Sequence, residues 1–170
     1  AWLEKRGFRF RTSSDTEVLL RLYEAEGEDC VGQLDGMFTF AIWDARRQSL
    51  FMARDRVGKK PLFYFSTPRI FAFASEVKAL LQHPAVIPQV HTEALPAYFL
   101  YGYVPTPDTL YQGIRKLPPG HTLRVGVDGQ IRMTEYWDLP MPAGPSRHAP
   151  SAAEAVARVR EWVPAAVRRR

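Results

Sequence analysis

The chain has 170 residues, of which 46% are apolar, 24% charged and 12% aromatic, the balance of an ordinary globular protein. No apolar run approaches the roughly 18–20 residues that a bilayer span needs, and a single cysteine, Cys30, excludes a disulfide scaffold and a cysteine-rich zinc site. Basic residues outnumber acidic ones 23 to 18, but Arg168, Arg169 and Arg170 supply much of the +5 excess, so the charge does not point to nucleic acid.

Residues 1–6 read as a helix closed by Gly7, a residue that takes the left-handed conformation cheaply. The pattern begins inside a helix and ends on three uncapped arginines, so a segment of a longer protein is expected. Phe8, Phe10 and Thr12 alternate with Arg9 and Arg11, which predicts a short half-buried strand. Residues 16–26 carry Val18, Leu19, Leu22 and Tyr23 on one helical face, with Ser14 and Glu17 in capping-box spacing and Gly27 at the end. A turn over 32–36 leads to a strand over 37–43, which pairs through the polar turn 44–49 with a strand over 50–53. Residues 54–60 form a charged loop. Strands over 62–65 and 70–74 make a second hairpin, and a helix over 76–82 follows until His83-Pro84 breaks it.

A strand over 86–90 precedes a helix over 92–101. Two proline-rich extended stretches, 104–107 and 117–121, frame the approach to a hairpin of 122–127 with 130–136 about Asp128-Gly129. Residues 139–150 hold four prolines and read as a linker, and 151–170 as an amphipathic helix that Pro164 should kink or break.

Two segments could carry chemistry. Ser13-Ser14-Asp15-Thr16-Glu17 sits where a strand meets a helix, so an acid there could hold a substrate ammonium, or the segment could be a simple helix cap. Arg54-Asp55-Arg56-Val57-Gly58-Lys59-Lys60-Pro61 gathers four cations around one acid; it could bind phosphate or an acidic surface, or be a turn that pairs internally. It lacks the glycine spacing of a phosphate-cradling loop. His83, His91, His121 and His148 show no metal-ligand spacing, so no metal is expected. Cys30 has acidic neighbours, Glu28 and Asp29, which favour a thiol over a thiolate.

Taken together, the blocks at 10–20, 34–44, 53–64, 73–80 and 117–121 resemble glutamine-hydrolysing asparagine synthetase of the bacterial type, in the class II glutamine amidotransferase family. The resemblance implies an α+β protein with the four-layer αββα N-terminal-nucleophile fold, incomplete here. Residues 1–138 would be the C-terminal part of the amidotransferase domain, 139–150 the linker, and 151–170 the first helix of the synthetase domain. In that family an N-terminal cysteine attacks glutamine, with its own amine as base, and the released ammonia meets an aspartyl adenylate made from ATP with magnesium. The segments with that cysteine, the Asn-Gly-Glu element and the pyrophosphate loop have no counterpart in these residues, so the chain itself is expected to be inactive and to bind no cofactor.

Asp15 matches the acid that accepts the α-ammonium of glutamine, and Arg54, Asp55 and Gly58 match a loop near the domain interface, read as structural or as lining the route to the synthetase. The implied partners are glutamine and the synthetase domain of the same chain, with no nucleic acid and no membrane, in a cytoplasmic parent that forms a homodimer. Two alternatives stay open: an amidotransferase of the exopolysaccharide-cluster type with another acceptor, and a non-catalytic binding module.

Overall fold

A computed structural model describes residues 2–141 and 150–168. The described residues form two compact units, divided between Asp138 and Leu139.

In the first unit, α1 (Trp2–Lys5) is followed by α2 (Asp15–Glu26) and a 3-10 helix, Gly27–Gln33. Four strands, β1 (Thr39–Asp44), β2 (Ser49–Arg54), β6 (His121–Gly126) and β7 (Ile131–Glu135), make one antiparallel sheet in the order β1-β2-β6-β7. A second antiparallel sheet has the order β4-β3-β5, from β3 (Phe63–Ser66), β4 (Phe71–Ala74) and β5 (Ile114–Lys116). A short α3 (Val77–Leu80), a 3-10 turn (Thr92–Ala94) and α4 (Leu95–Tyr101) complete the unit.

The period-2 geometry of strands explains the layering. Leu50 and Met52 of β2 join Leu123 and Val125 of β6 on one face, where they meet Phe71 of β4 and Leu62 and Leu117, which flank β3 and β5. The alternate residues of β2, Phe51 and Ala53, face the other way and pack against Leu3, Leu22, Cys30 and Val31 of the first helical layer. Phe63 and Phe65 of β3, with Ala72 and Ala74 of β4, turn outward onto Leu80 of α3 and Val86. Helices, sheet, sheet and helix therefore stack in four layers, αββα. Phe51 is the pivot of the first interface, stacked on Tyr23 at 5.4 Å and tilted to Phe40 at 6.0 Å. Burying such a ring contributes about 1.5–3 kcal/mol.

Both hairpins form where the pattern predicts them, and so does the Asp128-Gly129 hairpin. Other elements differ. Residues 8–12 make no strand: Phe8 and Phe10 do pack on the core, but the backbone N–H groups of Arg11 and Thr12 are taken by the Glu17 side chain instead of a ladder. The stretch 86–90 yields only one bridge, Val90 to Tyr111, with Val86 buried against Leu80 of α3 and Ile87 exposed. The 3-10 helix at 27–33 and the three-residue β5 carried too little periodicity to be read in advance.

β1 is an edge strand. Its Ala41 and Trp43 lie opposite Met52 and Leu50, on the face that meets the second sheet, yet Trp43 is 53% exposed.

In the second unit, α5 (Ala152–Arg168) runs unbroken through Pro164. Proline keeps a helix-compatible φ, so the helix continues past it while forgoing one hydrogen bond. Val156, Val159, Val163 and Val167 are exposed. Most of the linker predicted for 139–150 falls outside the described residues, as do Arg169 and Arg170. Among the described residues no helix is long and apolar enough to cross a membrane.

Candidate functional site

The start of α2 is built by its own sequence. Ser14 is the N-cap, in extended geometry, and its Oγ accepts from the Thr16 N–H at 3.2 Å. Glu17, which the capping-box pattern would return to Ser14, reaches further back. Its carboxylate accepts the Arg11 N–H at 2.9 Å, the Thr12 N–H at 2.7 Å and the Thr12 hydroxyl at 2.6 Å. These donors hold the Glu17 carboxyl below the usual glutamate range, the Thr12 hydroxyl contributing most and the Arg11 N–H next.

Asp15, the first residue of α2, lines a cleft of 450 Å³ with Leu19, Leu20, the stretch 34–42 and Lys60. It is exposed, and among the described residues its carboxylate has no hydrogen-bond or ion-pair partner. The cleft is mainly apolar in its lining, with Asp15 and Asp35 as acids and Lys60 as the one cation among its described lining residues. A carboxylate at a cleft wall with a cation on the same lining suits a zwitterion such as a free amino acid.

The 54–61 loop has a different character. Arg54 is 9% exposed and Asp55 1% exposed. The Arg54 guanidinium donates to three carbonyls: Lys60 at 2.8 Å, Leu117 at 2.6 Å and Gly58 at 2.8 Å. Asp55 accepts the N–H groups of Lys59 and Lys60, both at 2.9 Å. The Tyr136 hydroxyl closes the group by donating to the Arg54 carbonyl at 2.7 Å. Burial lowers the Arg54 pKa, and the neighbouring Asp55 charge opposes that shift. Gly58 has φ +66°, and a Cβ there would sit 2.8 Å from Pro119 Cγ, so two constraints require glycine. Arg54, Asp55 and Gly58 thus turn inward and bind the loop to itself. None of the three lines the Asp15 cleft; Lys60, at the loop's end, does. Sequence reasoning had grouped Lys60 with the other cations, and nothing in its local pattern marked it as the one that reaches this cleft.

The remaining candidates are locally committed. The Nδ1 atoms of His83, His91 and His121 lie against the Ala85 N–H, the Thr109 carbonyl and the Pro119 carbonyl, while His148 lies outside the described residues. Cys30 is fully buried in the first core cluster and does not line the cleft. Burial, with Asp29 and Glu28 adding to it, pushes its thiol up to about 12, the opposite of an activated nucleophile.

Residues 1–137 match the family model described as a glutamine amidotransferase domain. Over 168 residues the chain is 41% identical to "Asparagine synthetase [glutamine-hydrolyzing] 3" of Bacillus subtilis, covering 98% of this chain and 26% of the relative. It is 36% identical over 140 residues to "Putative asparagine synthetase [glutamine-hydrolyzing] 2" of Methanocaldococcus jannaschii, covering 81% of this chain and 27% of that protein. The chain therefore spans about a quarter of the length of these relatives. Among solved structures, the glutamine phosphoribosylpyrophosphate amidotransferase of B. subtilis superposes with a TM-score of 0.52 at 23% identity, covering 80% of this chain and 25% of that one.

Proposed function

The chain belongs to the glutamine amidotransferase domain family, and from that premise we propose that it forms the glutamine-recognition part of a glutamine-dependent asparagine synthetase. The parent polypeptide would hydrolyse glutamine and use the ammonia for ATP-dependent amidation of aspartate. The observation that carries this reading is the place of Asp15: an unpartnered carboxylate on the wall of a cleft, within the segment that matches the family.

In this reading Asp15 accepts the α-ammonium of glutamine, and the apolar side chains of the 34–42 stretch, such as Phe38 and Phe40, shield that pair from water. Desolvating an ammonium without a partner is costly, so the carboxylate selects for an amino acid over a neutral amide. The chain contributes no activated thiol, since its one cysteine is buried and protonated, so hydrolysis requires a nucleophile from elsewhere in the parent. ATP and magnesium belong, in the same reading, to the synthetase part of the parent. The basic 54–61 loop does not fit a nucleotide phosphate, because Asp55 already takes the N–H groups of Lys59 and Lys60. The synthetase domain of the same polypeptide is the proposed protein partner.

The test is glutamine binding to the 170-residue chain by calorimetry, for wild type and Asp15→Asn. A charge-assisted hydrogen bond contributes about 1.5–3 kcal/mol, so the substitution should weaken glutamine about 10- to 100-fold. Equal affinity for the two proteins refutes the assignment.

A further inference from the structure

Two acids stand in the first turn of α2, Asp15 and Glu17, and they differ in how their oxygens are used. Asp15 is open to the cleft. The Glu17 side chain is 15% exposed and spends its carboxylate on the Arg11 N–H, the Thr12 N–H and the Thr12 hydroxyl, with Arg21 Nη2 at 3.9 Å. At about 100° per residue, Glu17 lies some 200° around the helix from Asp15, and it is not among the residues that line the cleft.

We infer that Glu17 is a positioning residue for Asp15, acting through the 11–14 segment and not by contact with a ligand. This rests on the reading that Asp15 receives the glutamine ammonium. The physical argument is one of tethering. Residues 8–14 form no ladder with either sheet, so nothing periodic fixes the angle at which the chain enters α2. The Glu17 bonds to Arg11 and Thr12 supply that constraint from the helix side. The Ser14 N–H completes the loop by donating to the Thr12 hydroxyl at 3.3 Å, while Ser14 caps Thr16. Entry angle, cap and first residue are thereby coupled, and Asp15 is that first residue. Loss of the carboxylate charge removes the strong acceptor for three donors at once. The helix would persist, since its packing through Leu22 and Tyr23 and its Ser14 cap are untouched, but the angle at which the 11–14 segment enters its first turn would no longer be held from the helix side.

The experiment compares glutamine with glutaramate, which keeps the side-chain amide and the carboxylate but lacks the α-amino group. Wild type should prefer glutamine about 10- to 100-fold. Asp15→Asn should abolish that preference and leave hydrogen exchange at the Arg11 and Thr12 amides unchanged. Glu17→Gln should speed exchange at those two amides and reduce the preference about fivefold or more, with glutaramate affinity changed less than about twofold. Thr12→Val, which exchanges only the hydroxyl for a methyl, should act in the same direction and decides the matter if Glu17→Gln fails to fold. Faster exchange with an unaltered preference would make Glu17 structural only, overturning this inference while leaving the proposed function standing. An unaltered preference in Asp15→Asn, or no glutamine binding by the wild type, would remove the proposed function itself and this inference with it.

Discussion

Replacing Arg54 with methionine separates a loop that holds itself together from one that displays charge to a ligand. Methionine approximates the aliphatic stem but removes the guanidinium, so the carbonyls of Lys60, Leu117 and Gly58 lose their donors and the buried Asp55 loses a neighbouring positive charge. Each of the three acceptors left without its donor costs about 1–3 kcal/mol. The losses overlap, because water admitted by the shorter side chain re-solvates part of the site, so about 4 kcal/mol is the expected sum. For the 138 residues of the first unit, an unfolding entropy of roughly 2.1 cal/mol/K per residue amounts to about 0.29 kcal/mol/K. The midpoint of thermal unfolding should therefore fall by about 14 °C, read by circular dichroism and paired with a urea titration. Lys59→Met, at an exposed position of the same loop, is the control and should shift the midpoint by less than about 2 °C. A fall below about 3 °C in Arg54→Met, or equal effects at the two positions, would refute the view that this charge serves the fold.

Gly58→Ala should destabilise by about 3 kcal/mol, from a left-handed backbone and a Cβ pressed against Pro119, whereas Gly129→Ala, also left-handed but with nothing within 4 Å, should lose about 1 kcal/mol. Comparing the two in urea titrations checks that the difference arises from the close approach. At alkaline pH the chain should lose stability. Burial raises the thiol of Cys30 and the phenols of Tyr23 and Tyr136 to about 12, from ordinary values of 9.0 and 10.0. Their unfolded forms release protons first, so stability is whole below pH 9 and falls between pH 9 and 12. Melting curves across that range, with tyrosinate absorbance followed in parallel, test the sign: a midpoint unchanged up to pH 12 contradicts the burial argument.

Much of this architecture is legible residue by residue in the chain. The unbroken apolar run Leu50, Phe51, Met52 and Ala53 suits a strand buried on both faces, and Asp128-Gly129 announces its hairpin, because apolar patterning and turn conformation are local properties. The Ser14-to-Glu17 spacing likewise marks the start of α2. Local properties do not say which partner a polar group will find. Phe8 to Thr12 has a strand's alternation but no strand, since its N–H groups meet a carboxylate from the following helix before they meet another backbone. Arg54 and Lys60 look alike in a run of cations, yet only packing sends one inward to three carbonyls and the other to the wall of the Asp15 cleft. Leu117 lies far along the sequence from Arg54, and its carbonyl becomes a neighbour only when the two sheets close. Sequence by itself determined the three hairpins, the main helices and the candidate acids; tertiary structure decided which charges are consumed by the fold and which are left facing solvent, because pairing between distant segments is a property of the assembled chain.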